Sequence, residues 1–515
     1  MGLTLKVLFV CNEDVRLGVE YLSAYLKRSG HETELVFDPN LFSQTRLLSN
    51  VFSIRAYNID RIKRINPGLI AFSVSTADYQ WALSMADSIK AEVNVPIIFG
   101  GIHPTLVPDV VIKNKSVDMV CVGDGEEALL ELVNLLEKGE ISYNVKNIWF
   151  KNDGVIVKND MRQLMDLDNL PFPDRELFYR EFPKSSPIRK YSSFMMSRGC
   201  PFMCSYCANS HKRELSLGKG KWIRRMSVDD SIAHLKLMKK NYGTKYFFFF
   251  DDILTLDLAW FKDFVKKYKS EVNVPFSCFS HPQLFTQEIA NLLKSAGCSL
   301  LMLGLQSGCE DVRRNILTRF ESNEDVLNAA RFCKKTKLSF SIDHIINLPF
   351  EKDEDLIFSL NLYNQIRPNV INVYALLFFP KTEIINIAKK AGILDDTSEE
   401  LINEGKHGLH CVFMVIPHES QFTMHYRKYA LLFAILPLLP QNFAKVAINN
   451  GRLRSFFSML PISLVSPIKI MVNGKIRLNF RYGAILSIQL SWIFRILKLK
   501  LRPFRRLRAN VDDST

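Results

Sequence analysis

The 515-residue chain has no apolar stretch long enough to cross a membrane as a helix. Its uncharged runs toward the C-terminus, 429–440, 455–468 and 482–494, hold 12 to 14 residues, and the second is broken by Pro461 and Pro467. A spanning helix needs about 20. The ten cysteines show no even framework of spacings, which excludes a disulfide-stapled secreted domain and suits a reducing, cytoplasmic setting. The apolar part of residues 1–10 is too short for a signal peptide and reads as a first strand. Acid is missing from one whole region: between Gln421 and Asn510 there is no Asp or Glu, but there are 16 Lys or Arg.

What is present is organised in repeats of strand and helix. Hydrophobic residues make up 47% of the chain, enough for large cores, and the length suits about three domains. In residues 1–140, apolar runs at 6–11, 32–37, 69–73, 95–99 and 119–122 read as strands, with helical spacing at 17–29, 81–90 and 107–113. This pattern implies an open parallel sheet that binds ligands at the carboxyl ends of its strands. Three loops stand there: Ser73-Val-Ser75-Thr76-Ala77, Phe99-Gly100-Gly101-Ile-His103-Pro-Thr105 and Val122-Gly123-Asp-Gly-Glu126. The Pro-rich stretch Asp166-Leu-Asp-Asn-Leu-Pro-Phe-Pro-Asp-Arg175 within 141–190 marks a linker. Six further βα units follow in 191–415, with strands at 191–197, 245–250, 275–279, 299–305, 338–346 and 370–378.

The sharpest chemical signal is Cys200-Pro-Phe202-Met-Cys204-Ser-Tyr206-Cys207, placed directly after the first strand of the second series. Three thiolates at C-x3-C-x2-C spacing can hold an iron–sulfur cluster, which normally takes four, and leave one iron open for chemistry. A zinc site is the other reading of clustered thiols, but no second C-x2–4-C or Cys/His arm matches it.

This spacing, with an aromatic before the last Cys, resembles the radical S-adenosylmethionine (SAM) enzymes. Gly18-Val-Glu-Tyr-Leu22, Gly100-Gly-Ile-His-Pro-Thr105 and Val122-Gly-Asp-Gly-Glu126 are similar to the cobalamin-binding domain that precedes many of them. The resemblance spans about residues 5–385. It implies an α/β fold: an N-terminal Rossmann-like cobalamin-binding domain (1–140) and a partial (βα)6 TIM-like barrel (191–415). A mainly helical basic region (416–515) follows. It also implies that Cys200, Cys204 and Cys207 are the catalytic, metal-holding residues of a [4Fe–4S] cluster, whose open iron binds SAM and cleaves it to a 5′-deoxyadenosyl radical. SAM contacts are then expected from Phe202, Tyr206, Asp251, Asp252, Gln306 and Ser307. Cobalamin contacts are expected from Ser73, Ser75, Thr76, Gly100, Gly101, His103, Gly123 and Glu126.

The departures from the family pattern matter. The loop Cys11-Asn-Glu-Asp-Val-Arg-Leu-Gly18 lacks the cobalt-binding His of Asp-x-His-x-x-Gly, so cobalamin is expected without that ligand. Leu303-Gly-Leu-Gln306-Ser307-Gly308 has Gln for the family's Glu, Asn347-Leu-Pro-Phe350-Glu351 has lost both glycines of Gly-Leu-Pro-Gly-Glu, and Phe379-Pro-Lys381-Thr-Glu383 has lost one. Asp252 as a helix N-cap is the plainer reading of that residue. His281, His344 and Tyr374 stand near strand ends, as substrate contacts or as satisfied polar groups of the barrel.

The 16 cations of the C-terminal region, offset by Asp512 and Asp513, account for the whole net charge of +14; the remainder holds 51 basic and 51 acidic residues. Residues 495–508 mix seven cations with Leu, Ile and Phe. Such a segment fits peripheral contact with the inner face of a membrane, where each Lys or Arg gains about 1 kcal/mol and apolar side chains dip in. Closure of the barrel by a solvated helix is the bland alternative, and nucleic acid is disfavoured because no RNA-binding motif is present. The expected activity is cobalamin-dependent methylation of an unactivated carbon of a lipid-like or natural-product small molecule, with a reducing electron donor. A cyclase or rearrangement enzyme with the same cofactors is the second reading. A catalytically silent sensor or scaffold is the third, prompted by Gln306, Asn347 and Phe350.

Overall fold

A computed structural model describes residues 5–42, 46–140, 142–183, 186–407, 424–460, 464 and 489–500. The chain divides into two units, one of residues 1–160, 171–189 and 480–515, the other of 161–170 and 190–479.

The first unit is a seven-stranded sheet in the order β2-β1-β3-β4-β5-β6-β7. Its strands are β1 (Lys6–Asn12), β2 (Glu32–Asp38), β3 (Leu69–Ser73), β4 (Ile97–Gly100), β5 (Met119–Cys121), β6 (Ile148–Asn152) and β7 (Val155–Val157). The first five are parallel, and β6 and β7 add antiparallel to the β5 edge. β1 is apolar and buried at nearly every position, as a strand covered on both faces must be. The unit therefore runs past the expected boundary at 140. Val145, Ile148 and Phe150 complete the same core as Val7, Phe9 and Leu35. Of the stretch expected as a helix over 107–113 only Pro108–Val111 is helical; a further short helix, Ile102–Leu106, precedes it and is divided from it where Pro108 withholds its N–H. The helices Arg46–Phe52 and Arg55–Ile65 were not anticipated.

The linker is not a free tether. Arg175 forms a buried ion pair with Glu20, with Nη1 2.5 Å from Oε2 and both side chains almost fully enclosed. Asp174 accepts from Ser23 Oγ and Lys27 Nζ at 2.6 Å each, and its N–H donates to the Glu20 carbonyl at 3.0 Å. The segment 171–189 thus clamps the helix Leu17–Arg28. Burial raises the Glu20 pKa to about 7, against the pull of Arg175.

The second unit is a six-stranded parallel sheet in the order β15-β14-β13-β12-β11-β8. These are β8 (Tyr191–Phe194), β11 (Tyr246–Phe249), β12 (Phe276–Ser280), β13 (Cys298–Gln306), β14 (Phe340–Ile346) and β15 (Val370–Ala375). The short antiparallel pair β9 (Ser197–Arg198) and β10 (Arg224–Arg225) flanks the cysteine loop. Helices Val228–Tyr242, Leu258–Lys267, Gln287–Ser295, Asn323–Thr336 and Asp353–Ile366 alternate with the strands. Ser227, Asp257, Thr286 and Ser322 cap the first four with their side chains. Alternation along β11 sends Phe247 and Phe249 into the helix layer, where Phe249 meets Phe264 and Tyr268. It leaves Phe248 on the inner face with Phe250 and Phe279.

The basic C-terminal region, expected as one block, is split. Residues 424–460 belong to the second unit, where Phe433 packs on His344 and Tyr363. The helix 489–500 belongs to the first, with Trp492 and Ile496 in its core beside Phe37, Phe178 and Phe182. Parts of the apolar runs 455–468 and 482–494, and 501–508 of the basic segment, lie outside the described residues.

Arg175→Ala strands the Glu20 carboxylate in a dry site. It is expected to cost the first unit about 3–5 kcal/mol, read as a large drop in its thermal midpoint, and a shift within error would show that the clamp is dispensable.

Candidate active site

The cysteine loop leaves β9 at Gly199, whose φ of +95° and close approach to the Trp222 carbonyl (2.4 Å from a built Cβ) admit only glycine. The loop is pinned from several sides. Trp222 Nε1 donates to the Cys200 carbonyl at 2.9 Å, and Arg213 Nη1 to the Pro201 carbonyl at 2.9 Å. Ser205 N–H donates to the Leu317 carbonyl at 3.1 Å, and Ser205 Oγ to that of Ile316 at 2.6 Å. Cys207 stands at the N-terminus of the helix Ala208–Leu215, where the dipole favours a thiolate.

Burial pushes the Cys200 thiol up to about 12 and the Cys207 thiol to about 11, with Asp252 and the neighbouring cysteines adding to both. Left to themselves these thiols hold their protons; only a bound cation makes them thiolates. Among the described residues no three His, Cys, Asp or Glu groups converge as ligands of one ion. Three thiols within electrostatic reach of one another on a pinned loop fit separate corners of an iron–sulfur cube better than a single zinc.

The residue at the centre of this site was not among those expected from sequence. Arg319 is buried, and its guanidinium spans the loop and the barrel. Nη1 lies 3.7 Å from Cys204 Sγ and 3.4 Å from the Tyr206 hydroxyl. Nη2 donates to the Gly304 carbonyl at 2.6 Å and faces His281 Nε2 at 2.9 Å, while Nε donates to Glu321 Oε1 at 2.7 Å. His281 stacks on Phe202, ring centroids 3.9 Å apart and 15° from parallel, and burial beside Arg319 lowers its pKa to about 2, so it is a neutral acceptor. The only hint in sequence is the pair Arg319-Phe-Glu321 in a loop beyond a barrel strand.

The other expected residues separate into two groups. Asp252 is exposed beside Asn209, whose Nδ2 donates to it at 3.0 Å, and Gln306 is half-buried at the end of β13. Asp252 caps no helix; Asp257 caps the one that follows. Asp251, by contrast, is fully buried and accepts from the Met196 N–H at 3.1 Å and from Ser197 Oγ. It fastens strand end to cysteine loop and is corrected to a support. Ser307 is likewise fully buried, its Oγ accepting from the Cys309 N–H at 3.3 Å. Phe202 and Tyr206 are held by His281 and Arg319, and Tyr206 packs against the apolar cluster of Val312, Ile316, Leu317, Ile345, Leu348 and Ile384. His344 is a core histidine bonded to the Tyr363 hydroxyl at 2.9 Å; Tyr374 stays half-exposed.

The three positions where glycine has been lost keep a glycine's backbone. Asn347, Phe350 and Lys381 have φ of +66°, +61° and +62°. Asn tolerates this region, whereas Phe and Lys are strained there by about 1–2 kcal/mol.

In the first unit, the three loops at the strand ends are stitched together. Val74 N–H donates to the Gly100 carbonyl at 2.7 Å, and Gly123 N–H to Thr105 Oγ1 at 3.0 Å. At Gly101, φ +101°, a Cβ would fall 2.7 Å from Val74 N and O. Ser73, Ser75, Gly100, Gly101 and Gly123 are partly open, a nearly side-chain-free edge that suits a flat macrocycle. Thr76 and His103 are fully buried and bonded to each other at 3.2 Å, and Glu126 is also buried; these three are corrected to loop-shaping residues. The loop after β1 offers Arg16, which forms an ion pair with Asp78 and donates to the Ser73 carbonyl at 2.9 Å. A guanidinium has no lone pair for cobalt.

The sequence model of the Radical SAM superfamily matches residues 194–362, and that of the B12 binding domain matches 12–133. The chain belongs to the radical SAM enzymes that carry a B12-binding domain. Its cofactors are a [4Fe–4S] cluster, SAM and cobalamin. An uncharacterized methyltransferase of Pyrococcus horikoshii is 26% identical over 66% of this chain and 71% of that protein. The cytidylyl-2-hydroxyethylphosphonate methyltransferase of Streptomyces wedmorensis is 21% identical over 65% and 69%. An anaerobic magnesium-protoporphyrin IX monomethyl ester cyclase of Synechocystis is 22% identical over 52% and 53%. Among solved structures, the cobalamin-dependent SAM radical enzyme OxsB shares the fold, with a TM-score of 0.66 at 15% identity over 99% of this chain and 81% of that one.

Two outcomes check this radical SAM site. Cys204→Ala protein, reconstituted with iron and sulfide, is expected to lose the cluster's visible absorbance, and full iron content would sink the ligand assignment. Phe350→Gly exchanges strain of about 1–2 kcal/mol for a glycine entropy cost of about 0.5–1. Its melting point is expected to hold or rise slightly, and a clear fall would contradict the strain.

Proposed function

We propose that this enzyme transfers a methyl group to an unactivated carbon of a lipid-like or natural-product small molecule. When bound, the reduced cluster supplies a 5′-deoxyadenosyl radical from SAM, and cobalamin carries the methyl group. The observation that carries the reading is the pairing, in one chain, of a pinned three-cysteine loop with an open B12-binding edge. The methyltransferase names of two relatives support the direction of the chemistry.

The chain's own residues have definable parts. Asp252 offers a carboxylate to an ammonium group, and Gln306 offers an amide to an amino-acid group or a hydroxyl. Arg319 keeps a positive charge against Cys204, where thiolate charge must be balanced. On the inner face of the sheet, half-buried Phe248, Phe250 and Phe279 make an aromatic wall. Asp343, holding the Asn372 amide at 2.9 Å, and Tyr374 make a polar one on β14 and β15. Such a lumen takes a molecule with an apolar body and a polar end, and excludes water from the apolar part. The basic C-terminal region supports delivery of such a substrate at a membrane surface.

The test is product analysis on anaerobic protein reconstituted with iron, sulfide and cobalamin, then given reductant and SAM. Both 5′-deoxyadenosine and S-adenosylhomocysteine are expected. Deoxyadenosine alone would favour cyclisation or rearrangement, the reading that the cyclase relative supports. Neither product from a protein with an assembled cluster would leave a silent scaffold.

A further inference from the structure

The helix 489–500 is apolar on two opposite sides. One stripe, Trp492 and Ile496, is buried in the first unit. Arg495 fixes its orientation, stacking over Trp492 at 4.4 Å and donating to the Glu181 carbonyl at 3.2 Å. The other stripe, Leu490, Phe494 and Leu497, follows i, i+4, i+7 spacing and is 44%, 70% and 40% exposed. Lys498 and Lys500 flank it and are exposed too. Lys500 Nζ donates to the Val51 carbonyl of the helix Arg46–Phe52, which itself presents Leu47 (74% exposed), Leu48 and Val51 (48%). A surface of six large apolar side chains with lysines along it is more than a soluble protein ordinarily leaves open.

We propose that this face of the first unit docks on an anionic lipid bilayer. Charge complementarity names the occupant. The helix lies within the acid-free region 421–510, so every charged side chain on it is a cation. Anionic headgroups attract Lys and Arg, and the Leu490–Phe494–Leu497 stripe enters the acyl boundary while the helix lies flat. The second unit separately exposes Phe443, Val446, Phe456 and Met459 among Lys445 and Arg452. No described helix is long and apolar enough to cross a membrane, so the contact is peripheral. The proposal stands on this surface alone and does not depend on methyl transfer.

The experiment is co-sedimentation of the full chain with vesicles of pure phosphatidylcholine, and of phosphatidylcholine with about one third phosphatidylglycerol. Binding is expected only to the anionic vesicles and to fall steeply with salt. A Phe494→Ser/Leu497→Ser variant alters exposed positions and should keep its melting point, yet bind the anionic vesicles at least tenfold more weakly. Equal binding to neutral vesicles, no binding to anionic ones, or unchanged binding by the variant would overturn the proposal. So would a dimer that the double substitution dissolves, because the face would then be a contact between copies. No turnover is needed, so failure here leaves the methyltransferase reading untouched, and failure of that reading leaves this one.

Discussion

The guanidinium of Arg319 is the interaction on which the catalytic unit depends. It is buried, so its charge has to be matched within the protein, and five N–H groups must find acceptors in fixed directions. Glu321 neutralises it, the Gly304 carbonyl and neutral His281 take further donors, and the remaining side faces Cys204 Sγ and the Tyr206 hydroxyl. Planarity makes these contacts a single rigid piece. The cysteine loop, the end of β13 and His281, just past the end of β12, are held in one register by one side chain. Lysine could supply the charge but not the fork.

Around that centre the chain spends backbone strain to keep its loops in place. Asn347, Phe350 and Lys381 hold left-handed conformations where their relatives in the family pattern have glycine. Strain of this kind persists only where the surroundings over-determine the backbone. It argues that the loops after β14 and β15 still have a shape to maintain, which weighs against the scaffold reading that the lost glycines first suggested.

The cysteine loop, both series of βα units and the stitched loops of the first sheet were legible because each rests on local pattern: spacing, periodicity, or glycine at strand ends. What was not legible depends on contacts remote in sequence. Asp251 and Asp252 are adjacent and chemically identical on paper; only their partners beyond the end of β11 separate them, Asp251 buried under Ser197 and Asp252 exposed beside Asn209. Arg319 lies more than a hundred residues from Cys204. The Pro-Asp-Arg phrase read as a linker, although Arg175 closes an ion pair with Glu20 far upstream. The segment 495–508 read as a membrane contact or as a solvated helix closing the barrel, whereas Trp492 and Ile496 anchor the helix 489–500 in the core of the first unit and leave Leu490, Phe494 and Leu497 exposed.

The central claim is that three cysteines hold a cluster with one iron left open for SAM. Electron paramagnetic resonance of the reconstituted, reduced protein, recorded with and without SAM, tests it most directly. The account predicts a [4Fe–4S]+ signal whose g-values move when SAM is added, because the ligand enters the iron's coordination. A cluster signal that SAM leaves unchanged would mean that the fourth position is closed, and would contradict the account.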